Sequence, residues 1–420
     1  MNARALLGQA IKNCDWKDGQ IFIMNEKPKE KLFTPKEKSI LTGLSTALGL
    51  RQLGLLLVLP FLAVWAGDLE NSTPALIGLA MGMFGLTQGL LQIPYGLWSD
   101  RVGRKKPFIV GMLIFTCGLI LAYFTNSIYL LIIARTLQGG GAVAAVIFSW
   151  IGDAIPAEKR NRAMSIPGIA VGMASIIAFI GGPFLIKFIT VEQMFLICAV
   201  CSAGAVLYIT FFIPYEATPE TTPFSLRECF KAMKGPGLLP LYLSGLIMNY
   251  NLVAVFFILP QLITKHLTRE DMWIFLAPSV IAGMVVMRLA TKAADSGKTK
   301  TMLLGAYALI LLAGLLFLAD SVPAIFVASI FFFISYMTQI TLLPATITKM
   351  VGASKRGTVI GAYNALTNCG AFFGGAVSGL LWGISPSLSV GAMLLVSLCG
   401  GVMLWATFKE TMTKTAVPNI

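Results

Sequence analysis

Charge is what this chain has least of. Only 12% of its residues are Asp, Glu, Lys or Arg, about half the share usual in a soluble domain. None of its 19 carboxylates lies well inside a long apolar run. It has one histidine, His266, no glycine-rich nucleotide loop, no nucleophile–base constellation and no metal-ligand spacing. Neither an enzyme nor a cofactor is therefore expected. Of the seven cysteines, Cys117, Cys198, Cys201, Cys369 and Cys399 fall in apolar runs, Cys14 and Cys229 in polar segments. Cys198-Ala-Val-Cys201 has redox spacing without the surrounding strand–helix–strand pattern, so no redox or metal role is expected. The first 38 residues are polar and basic, which argues against a cleavable signal peptide.

What the chain has in abundance is apolar length. Its 420 residues are 56% hydrophobic, with a mean hydropathy of +0.80. Runs of about 20 apolar residues recur, each able to cross ~30 Å of hydrocarbon. Twelve spans are predicted, at 39–66, 74–97, 107–124, 127–151, 163–188, 191–213, 239–263, 272–291, 301–319, 322–347, 357–384 and 387–408. The expected organisation is a cytoplasmic extension (1–38), a six-helix bundle (39–213), a proline-rich cytoplasmic linker (214–238), a second six-helix bundle (239–408) and a cytoplasmic tail (409–420). Within the extension, Met24-Asn25-Glu26-Lys27-Pro28 reads as a bacterial translation start. Residues 1–23 are then expected to be dispensable, with a weakly amphipathic tail as the alternative.

The net charge of +13 is distributed as topology and not as a nucleic-acid patch. Of 32 Lys and Arg, 26 fall in the even-numbered loops and termini, three in the odd loops and three inside spans. The positive-inside rule puts both termini in the cytoplasm. The two halves also repeat. Leu59-Pro60-Phe61-Leu62 matches Leu259-Pro260-Gln261-Leu262, Asp100 matches Asp295, and Lys159-Arg160 matches Lys355-Arg356. Such a duplication suits a secondary transporter better than a channel subunit or a transporter-like receptor.

One loop organises the rest, Gly96-Leu97-Trp98-Ser99-Asp100-Arg101-Val102-Gly103-Arg104-Lys105-Lys106-Pro107-Phe108. Gly96 permits close approach of another backbone, and Asp100 suits the positive end of a neighbouring helix. The run resembles the loop 2–3 signature of the major facilitator superfamily, G-x-L-a-D-r-x-G-r-k. Ala134-Arg135-Thr136-Leu137-Gln138-Gly139-Gly140-Gly141-Ala142 resembles the R-x-x-q-G-x-g-a motif of its proton-coupled branches. Leu53-Gly54 with Pro60 resembles a motif of the twelve-helix drug:proton antiporters. Gly181-Gly182-Pro183 resembles the antiporter motif, although Ile186 and Lys187 stand where that motif has small residues. The likeness covers roughly residues 39–408.

The resemblance implies an all-α membrane protein of twelve helices in two pseudo-symmetric six-helix bundles, with spans 1, 4, 7 and 10 lining a central cavity. It implies alternating access and proton-coupled efflux of a small organic molecule, by a monomer in a bacterial inner membrane. It also implies a gating set of Gly96, Asp100, Arg101, Gly103, Arg104 and Asp153, with Asp153 pairing Arg101 or Arg104. Ordinary loop charge is the alternative for Asp153, and a solvated loop position near Arg269 and Asp271 is expected for His266.

The spans' own charges are Arg51, Arg135 and, nearer the cytoplasmic end, Arg288. At 1.5 Å per residue, Arg51 and Arg135 fall at similar depth. Their partners are expected to be backbone carbonyls and amides or a bound anion. Arg51 reads as cavity-facing, with helix bracing or snorkelling as the alternatives, and Arg135 as bracing span 4 against span 1 or as cavity-facing. Gln52, Gln138, Asn249, Tyr250, Asn251, Tyr336, Gln339, Asn364 and Asn368 complete the candidate cavity. The missing membrane carboxylate keeps a second cargo class open, a small organic anion such as a carboxylate siderophore or metabolite, moved out or in. Pro60, Pro183, Pro260, Pro278 and Pro344 are expected to interrupt backbone bonding and allow kinks.

Overall fold

The computed structural model describes residues 14–17, 20–23, 33–213, 237–351 and 356–408. The expected linker, apart from its last two residues, and the expected tail lie outside these. Two short strands, β1 (Cys14–Lys17) and β2 (Gln20–Ile23), pair antiparallel with Cys14 opposite Ile23. The sequence reading places no strand there.

Everything else of length is helical: α1 (Pro35–Leu56), α2 (Leu59–Gly67), α3 (Pro74–Val102), α4 (Lys105–Tyr123), α5 (Ile128–Gly140), α6 (Ala144–Ala154), α7 (Ala157–Leu185), α8 (Val191–Phe212), α9 (Leu238–Thr264), α10 (Met272–Ala293), α11 (Thr299–Phe317), α12 (Val322–Met350), α13 (Arg356–Trp382) and α14 (Pro386–Thr407). Among the described residues eleven stretches are long and apolar enough to cross a membrane, and one of them, Arg269–Phe317, is double. It folds back between α10 and α11 at Gly297, whose φ of 88° suits a residue without a Cβ. Twelve crossings result.

The sequence sets the helix starts. Thr34 accepts a hydrogen bond from the Glu37 amide while Glu37 accepts one from the Thr34 amide, a reciprocal cap on α1. Thr190 and Gln193 repeat the device on α8. Pro35, Pro74 and Pro386 sit in first turns, where the missing N–H costs nothing.

Of the five prolines expected to interrupt their helices, only Pro60 adjoins a break. Helices α7, α9, α10 and α12 run through Pro183, Pro260, Pro278 and Pro344. The first crossing breaks at Leu57–Val58, ahead of Pro60. The fourth breaks at Gly141–Val143, where no proline stands. A glycine run supplies no side chain to hold the turn, and Gly141 lies against α4. A Cβ there would sit 2.6 Å from the Gly111 carbonyl oxygen.

Two faces can be distinguished by charge. The loop after α3, the start of α7 and the end of α12 form a basic face, and Asp68, Arg269 and Asp320 lie on the opposite one. Toward the opposite face the halves are tightly joined. Helix α3 lies against α13 with almost no side-chain spacer: a Cβ on Gly82 would be 2.6 Å from the Phe372 carbonyl oxygen, and one on Gly85 2.5 Å from that of Asn368. Phe179 of α7 stacks on Phe256 of α9 at 5.4 Å and meets Phe333 of α12 edge-on at 5.5 Å. Arg269 bonds Asp68 at 2.7 Å, and the Lys187 ammonium lies 5.2 Å from the Trp273 ring centroid. Toward the basic face the halves part. The hydrogen bond from Asn368 to Gln92 spans 3.3 Å, and one turn further a Cβ on Gly96 would meet nothing within 4 Å.

Candidate functional site: a central cavity and a basic-face latch

A cavity of about 360 Å³ lies between the halves. Leu59, Met81 and Ala371 mark its deep end, and Phe148 and Pro344 line it toward the basic face. Phe148 is six residues from the end of α6, or roughly 9 Å.

Arg51 and Arg135 both line it, 2% and 3% exposed. Arg51 donates from Nε to the Gly141 carbonyl at 3.0 Å and from Nη2 to Gln88 Oε1 at 3.3 Å. The first of these oxygens lies in the break of the fourth crossing, where it also accepts from the Val143 amide at 2.8 Å, so Arg51 braces span 1 to span 4 while facing the cavity. Arg135 instead donates to Gln138 Oε1 on its own helix at 2.8 Å, and its Nε has no hydrogen-bond partner. Both guanidiniums lie over the Phe84 ring, 5.8 and 5.1 Å from its centroid, and Arg51 is also 5.3 Å from that of Phe115. An arginine at the bilayer centre costs about 2.5–3.5 kcal/mol on insertion scales. These carbonyl, amide and ring contacts offset part of that cost. No carboxylate lines the cavity among the described residues.

Local sequence explains the geometry. Gly118 on α4 admits α5 so closely that a Cβ would lie 2.7 Å from the Gln138 nitrogen. The Gln138 side chain then donates to the Gly118 carbonyl at 3.0 Å, leaving its oxygen for Arg135. Gly139 rests against the Phe84 backbone in the same way, which sets that ring beside Arg135.

Of the other expected polar residues, Gln52, Asn249, Tyr336, Asn364 and Asn368 line the cavity. Four lie behind the wall. Gln138 is fully buried as the support of Arg135. Tyr250 is buried, its backbone lies against Gly374 on α13, and among the described residues its hydroxyl has no hydrogen-bond partner. Asn251 accepts from the Ser397 hydroxyl at 3.1 Å, and Gln339 donates to the Ser335 hydroxyl at 3.0 Å. Gln138 and Asn251 bond to neighbouring helices, and Gln339 bonds along its own. Conversely, Gln88, Gln92, Tyr363 and Thr367 line it without having been singled out in the sequence. The signal for the first two was available: a pair of glutamines four apart in an apolar span shares one helix face.

At the basic face, Arg104 bonds Asp100, the Ser99 hydroxyl at 2.7 Å and Asp153 at 2.7 Å. It ties the end of α3 to the end of α6. Arg101 is exposed, so Arg104 alone of the two makes this bond. Gly103 ends α3 with φ 91°, a conformation that favours glycine. The second half has a simpler counterpart, Lys349 bonding Asp295 at 3.0 Å. Residues 352–355, just before the N-terminus of α13, lie outside the described residues. His266 pairs with Asp320 at 3.4 Å rather than with Asp271. Among the described residues no group of three or more metal-ligating side chains gathers, and Cys198 and Cys201 are free thiols.

The comparisons agree with this architecture. The Major Facilitator Superfamily model matches residues 44–375. The inner membrane transport protein YajR of Escherichia coli is 30% identical over 389 residues, 90% of this chain and 84% of that one. Multidrug resistance protein 1 of Bacillus subtilis is 27% identical over 360 residues, 83% and 91% of the respective chains. The crystal structure of the human organic anion transporter MFSD10 superposes with a TM-score of 0.66 at 15% identity, covering 88% of this chain and all of that one, a likeness of fold alone. With twelve crossings, duplicated halves and a cavity between them, the chain belongs to the major facilitator superfamily and is a membrane transporter, not an enzyme.

Proposed function

We propose that this transporter exports a small organic molecule across a bacterial inner membrane in exchange for protons, by alternating access. The observation that carries the reading is the cavity, walled by both halves, sealed toward the opposite face and reaching toward the basic one. With the basic loops in the cytoplasm, this arrangement is the inward-open member of an alternating pair. Export is supported by the antiporter-like residues of spans 1 and 5 and by relatives that include multidrug resistance proteins, and proton exchange by the motif of span 4. In the outward-open partner state the Asp68–Arg269 and Phe179–Phe256 contacts separate, while the Asp100–Arg104–Asp153 latch closes against the second half.

Proteoliposomes with an imposed pH gradient test this. A transported compound is expected to move against its own gradient and to dissipate the proton gradient faster than in protein-free vesicles. Movement indifferent to the pH gradient removes proton exchange from the reading, and single-channel conductance removes the carrier altogether.

A further inference from the structure

The cavity's two walls differ in charge. The wall from the first half carries the Arg51 and Arg135 guanidiniums, whereas the other contributes neutral groups, among them Asn249, Asn364 and Tyr336. Among the described residues every hydrogen bond of the two guanidiniums ends on a neutral oxygen, and aromatic rings lie against both. Neutral dipoles solvate a cation, yet they leave two positive charges uncompensated in a low-dielectric surround. Arg135 Nε, wholly buried at the cavity wall, has no partner. Both guanidiniums share the Phe84 ring, so they border one space.

We propose that the cavity binds a small organic anion, with its carboxylate against Arg135 and Arg51 beside Phe84 and its neutral end toward Asn249, Asn364 and Tyr336. A carboxylate matches the planar donor fork of a guanidinium and brings the missing counter-charge. A lipophilic cation of the same size meets two like charges and no carboxylate. This inference rests on the carrier reading above and names the charge class of its cargo, independently of direction and of proton exchange.

Three isosteric probes test it on the full-length protein purified in detergent: 2-naphthoate, 2-naphthamide and 2-naphthylmethylammonium, compared by equilibrium dialysis. The carboxylate is expected to bind about tenfold more tightly than the amide, and the ammonium most weakly. Arg135→Gln is expected to bring the carboxylate-to-amide ratio to within about twofold, and Arg135→Lys to keep part of it, because lysine keeps the charge and loses the fork. Asn364→Ala is expected to weaken carboxylate and amide alike, leaving their ratio intact. If the arginine variants fail to fold, the ratio in the unaltered protein decides by itself. No binding of naphthoate, an ammonium as tight as the carboxylate, or a ratio that survives Arg135→Gln overturns the proposal. Loss of proton-driven transport with the ratio intact counts against the exchange reading and leaves the anion site standing. Proton-driven transport of the ammonium, with no preference for the carboxylate, does the reverse.

Discussion

Arg104 holds two carboxylates that would otherwise face each other, Asp100 at the end of α3 and Asp153 at the end of α6. Its burial at 8% exposed makes that cation hard to replace by water. Arg104→Gln is expected to cost on the order of 1–3 kcal/mol, the range for breaking a largely buried charged network, and to lower transport. Arg101→Gln, at an exposed position, is expected to stay within about 0.5 kcal/mol. Thermal unfolding and transport at matched protein amounts check the pair, and equal losses from both would show that the latch is not specific to Arg104. On the opposite face a second carboxylate depends on its cation. The hydrogen bond from Lys265, with a smaller one from His266, holds the Asp320 carboxyl below its ordinary range. Its contribution is therefore fully present above the usual carboxylate pKa and is lost as pH falls through the depressed value. For so exposed a pair it is worth at most about 1 kcal/mol. Comparing thermal unfolding of Asp320→Asn with the unaltered protein at pH 7 and near pH 3 should show a difference at the first pH that shrinks at the second.

The helices depend on backbone proximity at a few glycines. Gly118→Ala places a Cβ 2.8 Å from the Ala134 carbonyl oxygen, and backbone must shift. It is expected to cost about 1–3 kcal/mol and to loosen the Gln138 support of Arg135. Gly172→Ala, which meets nothing within 4 Å, is expected to be neutral or to stabilise by up to about 1 kcal/mol through helix propensity. Thermal unfolding in detergent separates them, and equal effects would contradict the close approach. This contrast marks what the sequence could and could not express. Hydropathy is additive along a span, so the twelve crossings were readable from apolar length, and the loop after α3 from its run of charge. Helix–helix proximity is a property of two segments at once. A glycine at 118 and one at 172 look alike in sequence, and only the neighbouring backbone distinguishes them. The same holds for polar side chains: Asn249 faces the cavity and Asn251 a neighbouring helix, two residues apart. The break at Gly141 carries no proline to announce it, whereas helix continues through Pro183, Pro260, Pro278 and Pro344.

At the scale of the whole molecule, two arrangements of rigid halves must differ by only a few kcal/mol for the transporter to cycle. Weak contacts that exist in only one arrangement then have leverage that they lack in a folding equilibrium. The Asp68–Arg269 pair is such a contact. It joins the end of α2 to the turn before α10, across the two halves, on the face that is sealed here. Asp68 is 60% and Arg269 40% exposed by side chain, so the pair is worth up to about 1 kcal/mol. That is about a fivefold change in the ratio of the two arrangements, since 1.4 kcal/mol is tenfold. Asp68→Asn and Arg269→Gln are each expected to raise the population open to the opposite face by up to about that factor. The exchanged pair, Asp68→Arg with Arg269→Asp, is expected to restore it, and about 1 M salt to imitate the single variants. The readout is a cysteine placed at Gln52, inside the cavity, in a background without other reactive thiols. An impermeant maleimide added from the opposite face should label it faster in both single variants and at the original rate in the exchanged pair. Unchanged labelling in the single variants would remove the pair from the gate and leave the seal to the Phe179–Phe256–Phe333 cluster and the α3–α13 contact. Faster labelling that the exchange fails to reverse would mean that each residue acts through its own half, not across the interface.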